Sequence, residues 1–469
     1  MHDLIDLPVR KLLALMHSRE TSSEEICTAF LARIESSSII NAVVHVDAEE
    51  VLAQARSADR NRRSGNDSPL LGIPFSVKDS IAVADWPWRS GSYARENIIA
   101  DKDATAVSRL RAAGGIPICK TATPEYTWSA QTHSELHGRT NNPYDLERSP
   151  GGSSGGEAAL HAVHGAPFGL GSDGFNSIRV PAHFCGTAGL RPTAGVVSEA
   201  GTWPTTKQTG MGDISTIGPM GRYAEDLDLI LDLIAGVDPE DPFVHPLVRQ
   251  RQSLKRKRIK VGVLPSSALK SNSPRTRMAL EVAAQTFQDQ GAELVEISPW
   301  DSSLAVDLAF GLMAPDGGAL VRINTATAQG RHTEEFGGLL ESLRSKRSTI
   351  DQYLEALKRL KEYRGVIRRT VSEIDVALVP VASGPAPLHD RLPGSDSDDY
   401  DVEAFAQAFA IALSGLPSCV VPTAMEGHLP VGVQLVGNPH HDFEVLLAAQ
   451  QLQSSVAGNI TQPNAWKQS

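Results

Sequence analysis

Apolar and polar positions along the chain follow two periods, and the switching between them lays out the predicted elements. Leu7 to His17 carries apolar residues at helical spacing and predicts an amphipathic helix. Thr21-Ser22-Ser23-Glu24 resembles an N-cap with a capping glutamate ahead of a second helix through Arg33. From Pro69 short apolar runs alternate with helical stretches: Ile73 to Val77 reads as a strand, Ala104 to Gly114 as a helix, Ile116 to Lys120 as a strand and Glu157 to Val163 as a helix. Ala224 to Ala235 is a regular apolar helix. A break follows over Asp238 to Arg258, where PEDPF is turn-like and RQRQSLKRKR reads as a solvated linker. Beyond it Ile259 to Leu264, Glu293 to Ile297 and Asp375 to Val381 read as strands, with helices at Arg275 to Gln290 and Ile350 to Ile374. Leu388 to Tyr400, rich in Asp with a Pro393-Gly394 turn, reads as a loop. Strands interleaved with helices in this way predict an α/β fold, a sheet covered by helices with functional loops at strand ends.

Composition narrows the classes. The 469 residues are 41% apolar, enough for a sizeable core, and the net charge of −11 offers no basic stripe for nucleic acid. Four cysteines (Cys27, Cys119, Cys185, Cys419) lie far apart without a Cys-x-x-Cys, so neither a zinc site nor a disulfide framework is indicated. His133, His137, His440 and His441 lack ligand spacing, and no metal or cofactor is expected. The acidic start Met1-His2-Asp3-Leu4-Ile5-Asp6 is unlike a secretory signal, and no apolar run approaches the roughly 20 residues that span a bilayer. A cytoplasmic protein without a transmembrane segment is expected.

The chemistry concentrates between Ser149 and Thr193. Gly151-Gly152-Ser153-Ser154-Gly155-Gly156 opens into a helix-forming run, which places the loop at a helix N-terminus where backbone N–H groups face outward. No Gly-Lys-Ser/Thr closes it and no Gly-x-Gly-x-x-Gly follows a strand, so nucleotide readings lose support. A second small-residue turn, Gly169 to Gly174, delivers Asn176 and Ser177, and two serines on tight turns suggest nucleophilic chemistry. Upstream, Lys78 sits at the end of an apolar strand. Desolvation there would lower its pKa and make it a candidate base. The residues alone also admit a Gly-rich connector and a solvent-facing lysine.

Taken together, GIPFSVKD around Lys78, SPGGSSGGEAAL, GSDGFNSIRVPAHFCG and GLRPT resemble the amidase signature family of Ser-cisSer-Lys hydrolases. Asn142-Pro143, Gly218-Pro219-Met220-Gly221-Arg222, Gly415-Leu416-Pro417 and Leu429 to Gly437 extend the resemblance over nearly the whole chain. SPGGSSGGEAAL, FCGTAGLRPT and APDGGALVRIN resemble the fatty acid amide hydrolase branch more than the tRNA-amidotransferase branch.

The resemblance implies one α/β domain over residues 1–469, with a mixed, twisted central sheet covered by helices on both faces. It places a signature core at about 65–235 and a variable pocket wall at about 299–349. It implies Ser177 as nucleophile, Ser153 as proton relay behind a cis Gly152–Ser153 peptide, and Lys78 as base. Oxyanion and substrate contacts fall to Gly174, Phe175, Asn176 and Ser153, with the Thr127 backbone near the reacting carbonyl and Trp128 either pocket or core. Asp173 and Arg179 are expected to pair across the turn. Where the family usually has Gly-Gly before the nucleophile, this chain has Phe175-Asn176. The turn is expected to keep its path, Gly174 taking the awkward dihedral and Phe175 pointing away, with a narrowed pocket and an incomplete oxyanion hole as the alternatives. The function implied is hydrolysis of a carboxamide with an apolar acyl or aryl part through an acyl-enzyme. Amide formation by acyl transfer, and an amidotransferase-like member of a complex, stay open as alternatives. The partner implied is a small-molecule amide, with a homodimer also open.

Overall fold

In a computed structural model, residues 4–205, 213–247, 258–389, 391 and 402–467 are described. The run RQRQSLKRKR lies almost wholly outside them, as does most of the expected Leu388–Tyr400 loop.

Thirteen strands occur among these residues: β1 (Val43–His45), β2 (Pro74–Lys78), β3 (Ile116–Thr121), β4 (His133–Ser134), β5 (Gly138–Arg139), β6 (Phe168–Asp173), β7 (Ala188–Arg191), β8 (Thr216–Gly221), β9 (Lys260–Val263), β10 (Glu293–Glu296), β11 (Val376–Pro380), β12 (Ser418–Glu426) and β13 (Leu429–Val436). Eleven join one sheet in the order β1-β3-β2-β6-β8-β7-β12-β13-β11-β9-β10, and β4 and β5 form a small ribbon. The sheet is mixed. β3, β2 and β6 run parallel at one side and β11, β9 and β10 at the other, while β8, β7, β12 and β13 pair antiparallel between them. Helices flank this sheet in a single α/β domain.

The β-branched and apolar runs became strands within a residue or two of expectation, because a sheet buried on both faces accepts continuous apolar sequence. Helices follow at Thr105–Ala112, Ala224–Ile234, Pro274–Asp289 and Ile350–Val371. Two readings are corrected. The second helix, Ser23–Ser36, is capped one residue later than expected: of the two registers with an acid three residues on, Ser22 is the N-cap and Glu25 returns the bond. The run from Gly169 to Gly174, expected as a turn, is mostly strand: β6 pairs residue by residue with β8.

Glycine is required in β6 by space. A Cβ on Gly169 would lie 2.2 Å from both Glu157 Oε2 and Ser76 Oγ. Two side chains enter the room a side chain would fill, and β6 can therefore sit beside β2 over the buried Glu157. Polar residues elsewhere serve as ties. Asn142 Nδ2 donates to the carbonyls of Ser149 and Phe184 at 3.1 and 2.9 Å. Gln434 on β13 donates to Pro380 O at 2.9 Å and accepts from Arg179 at 3.1 Å. Asp442 receives both the N–H and the hydroxyl of Thr193, at 2.7 and 2.6 Å.

Among the described residues no helix is long and apolar enough to cross a membrane. Gly169→Ala should destabilise the fold by roughly 1–3 kcal/mol through overpacking, read as a lowered urea midpoint with an unchanged slope.

Candidate functional site

The serine loop is built from four clamps. Thr132 Oγ1 donates to Gly151 O at 2.8 Å and accepts from Gly155 N at 3.1 Å. Thr123 Oγ1 donates to Ser153 O at 2.9 Å, and Ser149 Oγ accepts from Gly151 N at 3.0 Å. The Gly152–Ser153 peptide is cis. A Cβ on Gly152 would come within 2.5 Å of Ser129 O, so this loop closes only with glycine there. The helix behind it is Gly155–Ala162.

Lys78 is the last residue of β2 and is fully buried. Its Nζ donates to Ser153 Oγ at 2.7 Å and to Ser172 Oγ at 3.0 Å. Burial pushes the ammonium down to about 7, against the partial opposition of Asp173 and Glu157; a lysine in water sits at roughly 10.4. Neutral and protonated forms are therefore both accessible near neutral pH. Glu157, buried beneath the loop, accepts from Ser76 at 2.6 Å and Thr121 at 2.7 Å, and burial raises its carboxyl to about 7 despite those bonds. A second buried lysine, Lys120 on β3, donates to Ile81 O at 2.7 Å and lies 3.7 Å from Asp79; it braces the backbone rather than facing the serines.

Ser177 stands at the turn between β6 and the helix Arg179–Cys185, joined to the serine loop by the bond from Ser154 N to Ser177 O at 3.0 Å. The expected pairing of Asp173 with Arg179 is present, at 3.0 Å, and Arg191 adds a second contact at 3.2 Å. Burial alone would raise the Asp173 carboxyl; the two guanidinium groups and the N–H of Ile178 bring it down to about 2. Arg179 also donates to the carbonyl of Phe175. The whole turn thus hangs on one carboxylate.

Ser153, Ser172, Ser177, Gly174, Phe175, Asn176 and Thr127 all line one cavity of about 900 Å³. Trp128 lines it as well, with its ring 5.2 Å from Tyr126, so it belongs to the pocket wall. The expected behaviour of the turn is corrected in two respects. Left-handed backbone beside the cavity falls at Tyr126 and Thr127, with φ of 59° and 58°, and Gly174 is not among the residues of positive φ. Phe175 does not point away: it lines the cavity and stacks on Phe409, centroids 5.0 Å apart and planes 6° from parallel. Arg179 holds the carbonyl of Phe175 itself.

The opposite wall comes from the segment expected to vary. Ser302–Met313, Ala319–Thr325 and Glu334–Arg344 are helices there, and Ala309, Phe310, Met313, Leu339 and Ser342 face the cavity. Among the contacts that fasten this wall to the core are Asn324 to Tyr126 Oη at 2.9 Å, Ser129 to Glu335 at 2.6 Å, and His332 to the buried Glu125 at 3.0 Å. Ser172 and Phe409 were not singled out from sequence. The first hid in a run read as a turn, and nothing local marks the second. Among the described residues no group of three or more His, Cys, Asp and Glu side chains is placed to hold a metal ion.

Comparison with known proteins agrees with this layout. The family model described as Amidase matches residues 25–446. A glutamyl-tRNA(Gln) amidotransferase subunit from Cupriavidus taiwanensis is 30% identical, with 97% of each chain covered, and its counterpart from Neisseria gonorrhoeae is 30% identical over 94% of this chain and 96% of the relative. A solved chain from a vestigial protein complex tied to the origins of an s-triazine catabolic enzyme superposes with a TM-score of 0.85 at 28% identity, covering 97% of this chain and all of that one. Fatty acid amide hydrolase superposes with a TM-score of 0.86 at 23% identity, over 98% of this chain and 86% of that one. The expected leaning toward that branch is therefore matched in fold alone. A match over most of the length, with the Lys78–Ser153 contact buried at the head of the cavity, shows that this chain belongs to the amidase family, enzymes that cleave carbon–nitrogen amide bonds.

Proposed function

We propose that the chain hydrolyses a carboxamide through an acyl-enzyme on Ser177, with Ser153 and Lys78 moving the proton. The observation that carries this reading is a fully buried lysine, near neutrality in its proton affinity, 2.7 Å from Ser153 Oγ in a cavity that Ser177 also lines. Neutral Lys78 takes the Ser153 proton as Ser153 takes that of Ser177, and Ser177 Oγ bonds to the amide carbon. The N–H groups of Ile178 and Arg179 are turned onto Asp173, so those of Phe175 to Ser177 are the donors we assign to the oxyanion. Collapse breaks the C–N bond, and Ser153 returns the proton to the leaving nitrogen. Water then attacks the ester by the same route in reverse.

The finer reading divides in two. The amidotransferase relatives, 30% identical over nearly full length, favour a chain of that kind that works beside partner proteins. The cavity wall of Trp128, Trp203, Phe310, Phe405 and Phe409 favours a free-standing hydrolase of an amide with an apolar or aryl group. The relatives weigh more heavily than the wall, because an apolar lining is common to many small-molecule sites. Turnover by the purified chain, monitored with size-exclusion chromatography, separates the two. Release of ammonia from glutamine only after partner proteins are added supports the first, and cleavage of a simple anilide by the chain alone supports the second.

Ser177→Ala should abolish amide cleavage without lowering thermal stability, and a fluorophosphonate should label the native chain at Ser177. Labelling at Ser153 would reverse the assigned roles. Because Lys78 acts as a base when neutral, kcat/KM should fall with unit slope as pH drops below about 7. Lys78→Ala should remove that limb and slow amides by orders of magnitude, with matched esters losing less because an alkoxide leaves with less protonation. Equal losses for ester and amide would show that Lys78 does not feed the leaving group.

A further inference from the structure

The residue before Asn176-Ser177 is a phenylalanine whose surroundings fix its direction. Arg179 donates to the Phe175 carbonyl, and Arg179 is itself held by Asp173 at 3.0 Å and Gln434 at 3.1 Å. These buried contacts hold the backbone from which the ring projects. The ring lies almost parallel to that of Phe409, planes 6° apart with centroids at 5.0 Å. Phe409 is carried by the helix Ala406–Ser414, on the C-terminal half of the chain.

Both rings border the cavity that holds Ser153 and Ser177. Trp128 and Trp203 line the same cavity, each packed edge-on against Tyr126 with centroids at 5.2 and 4.9 Å. Aromatic residues and the reacting serines thus share one cavity lining. Aromatic faces attract another aromatic ring in offset or edge-on geometry beyond the area buried. A plain hydrocarbon wall does the reverse of selecting for it, since a saturated ring of equal size is more apolar and gains more from leaving water.

We propose that Phe175 and Phe409 act together as a specificity element, favouring amides that carry a flat aromatic ring next to the scissile bond over saturated counterparts of the same size. The inference rests on the hydrolase reading above and adds a substrate class and a residue, Phe409, to it.

The test uses two matched pairs: benzamide against cyclohexanecarboxamide, which vary the acyl side, and acetanilide against N-cyclohexylacetamide, which vary the leaving side. The quantity read is the aryl-to-cyclohexyl ratio of kcat/KM in the native chain divided by that in Phe409→Leu and in Phe175→Leu. Intrinsic reactivity cancels in that quotient. A quotient of about 2 to 12 in either pair, the span that aromatic contacts carry, supports the proposal, and the pair affected tells which side of the amide the ring occupies. Unchanged ratios in both pairs overturn it. Binding of the same four amides to Ser177→Ala protein provides a second measurement that needs neither turnover nor a Phe409 variant that folds. Tighter binding of an aryl member supports the proposal, and tighter binding of both cyclohexyl members overturns it. Labelling of native Ser177 by a fluorophosphonate distinguishes the two failures: a labelled enzyme without aryl preference loses this inference alone, whereas an unlabelled one loses the hydrolase reading.

Discussion

A single carboxylate, Asp173, decides whether this site exists. It is fully buried, and burial alone would protonate it; Arg179 and Arg191 keep it charged and are kept buried in return. Through these contacts the end of β6, the start of the next helix and β7 become one rigid unit, and the turn bearing Ser177 is what the unit holds. Arg191 also donates to the carbonyls of Asp173 at 2.5 Å and Ala412 at 3.2 Å, which extends the unit to the helix that carries Phe409. Removing one member of such a triad strands a buried charge, so its worth lies in fixing geometry more than in net stability.

Against that fixed turn the lysine is placed by strand pairing. β2 runs parallel to β6, with Ser76 opposite Gly169 and Val77 opposite Leu170, so Lys78 arrives beside Ser172. Its two shorter hydrogen bonds are to hydroxyls, and a longer one reaches the Ser172 carbonyl, while the acids at Asp173 and Glu157 act through the field they set up. This is why desolvation dominates its proton affinity. A direct carboxylate partner would have kept it charged and useless as a base.

Much of this was legible in the residues, and the exceptions share a physical cause. β2, β3, β9, β10 and β11 announced themselves through Val and Ile, and Lys78 and Ser153 stood out by residue type within short motifs. β6 and β8 did not, because Phe168 to Asp173 and Thr216 to Gly221 are rich in glycine, which reads as turn. Their glycines answer to neighbours distant in sequence: a Cβ at Gly218 would lie 2.1 Å from Leu190 O. The capping box slipped by one residue because Thr21 with Glu24 and Ser22 with Glu25 offer two registers, and hydrogen bonding chose the second. Phe175 was visible as a departure from its family, but its direction depended on Phe409 and Arg179, partners that no local pattern names.

The route of the chain through the sheet has a further meaning. The helical wall is inserted between β10, an edge strand, and β11, which lies beside β9. It leaves and re-enters the sheet on the side remote from β2 and β6, so its backbone contributes no ladder bond to the strands that bear the lysine and the nucleophile turn. The part of recognition that the wall supplies is thereby kept on a stretch of polypeptide apart from the reacting groups. Substitutions in the wall can reshape what enters the cavity while the proton path stays intact, an arrangement that lets one scaffold acquire new substrates without relearning how to cut the bond.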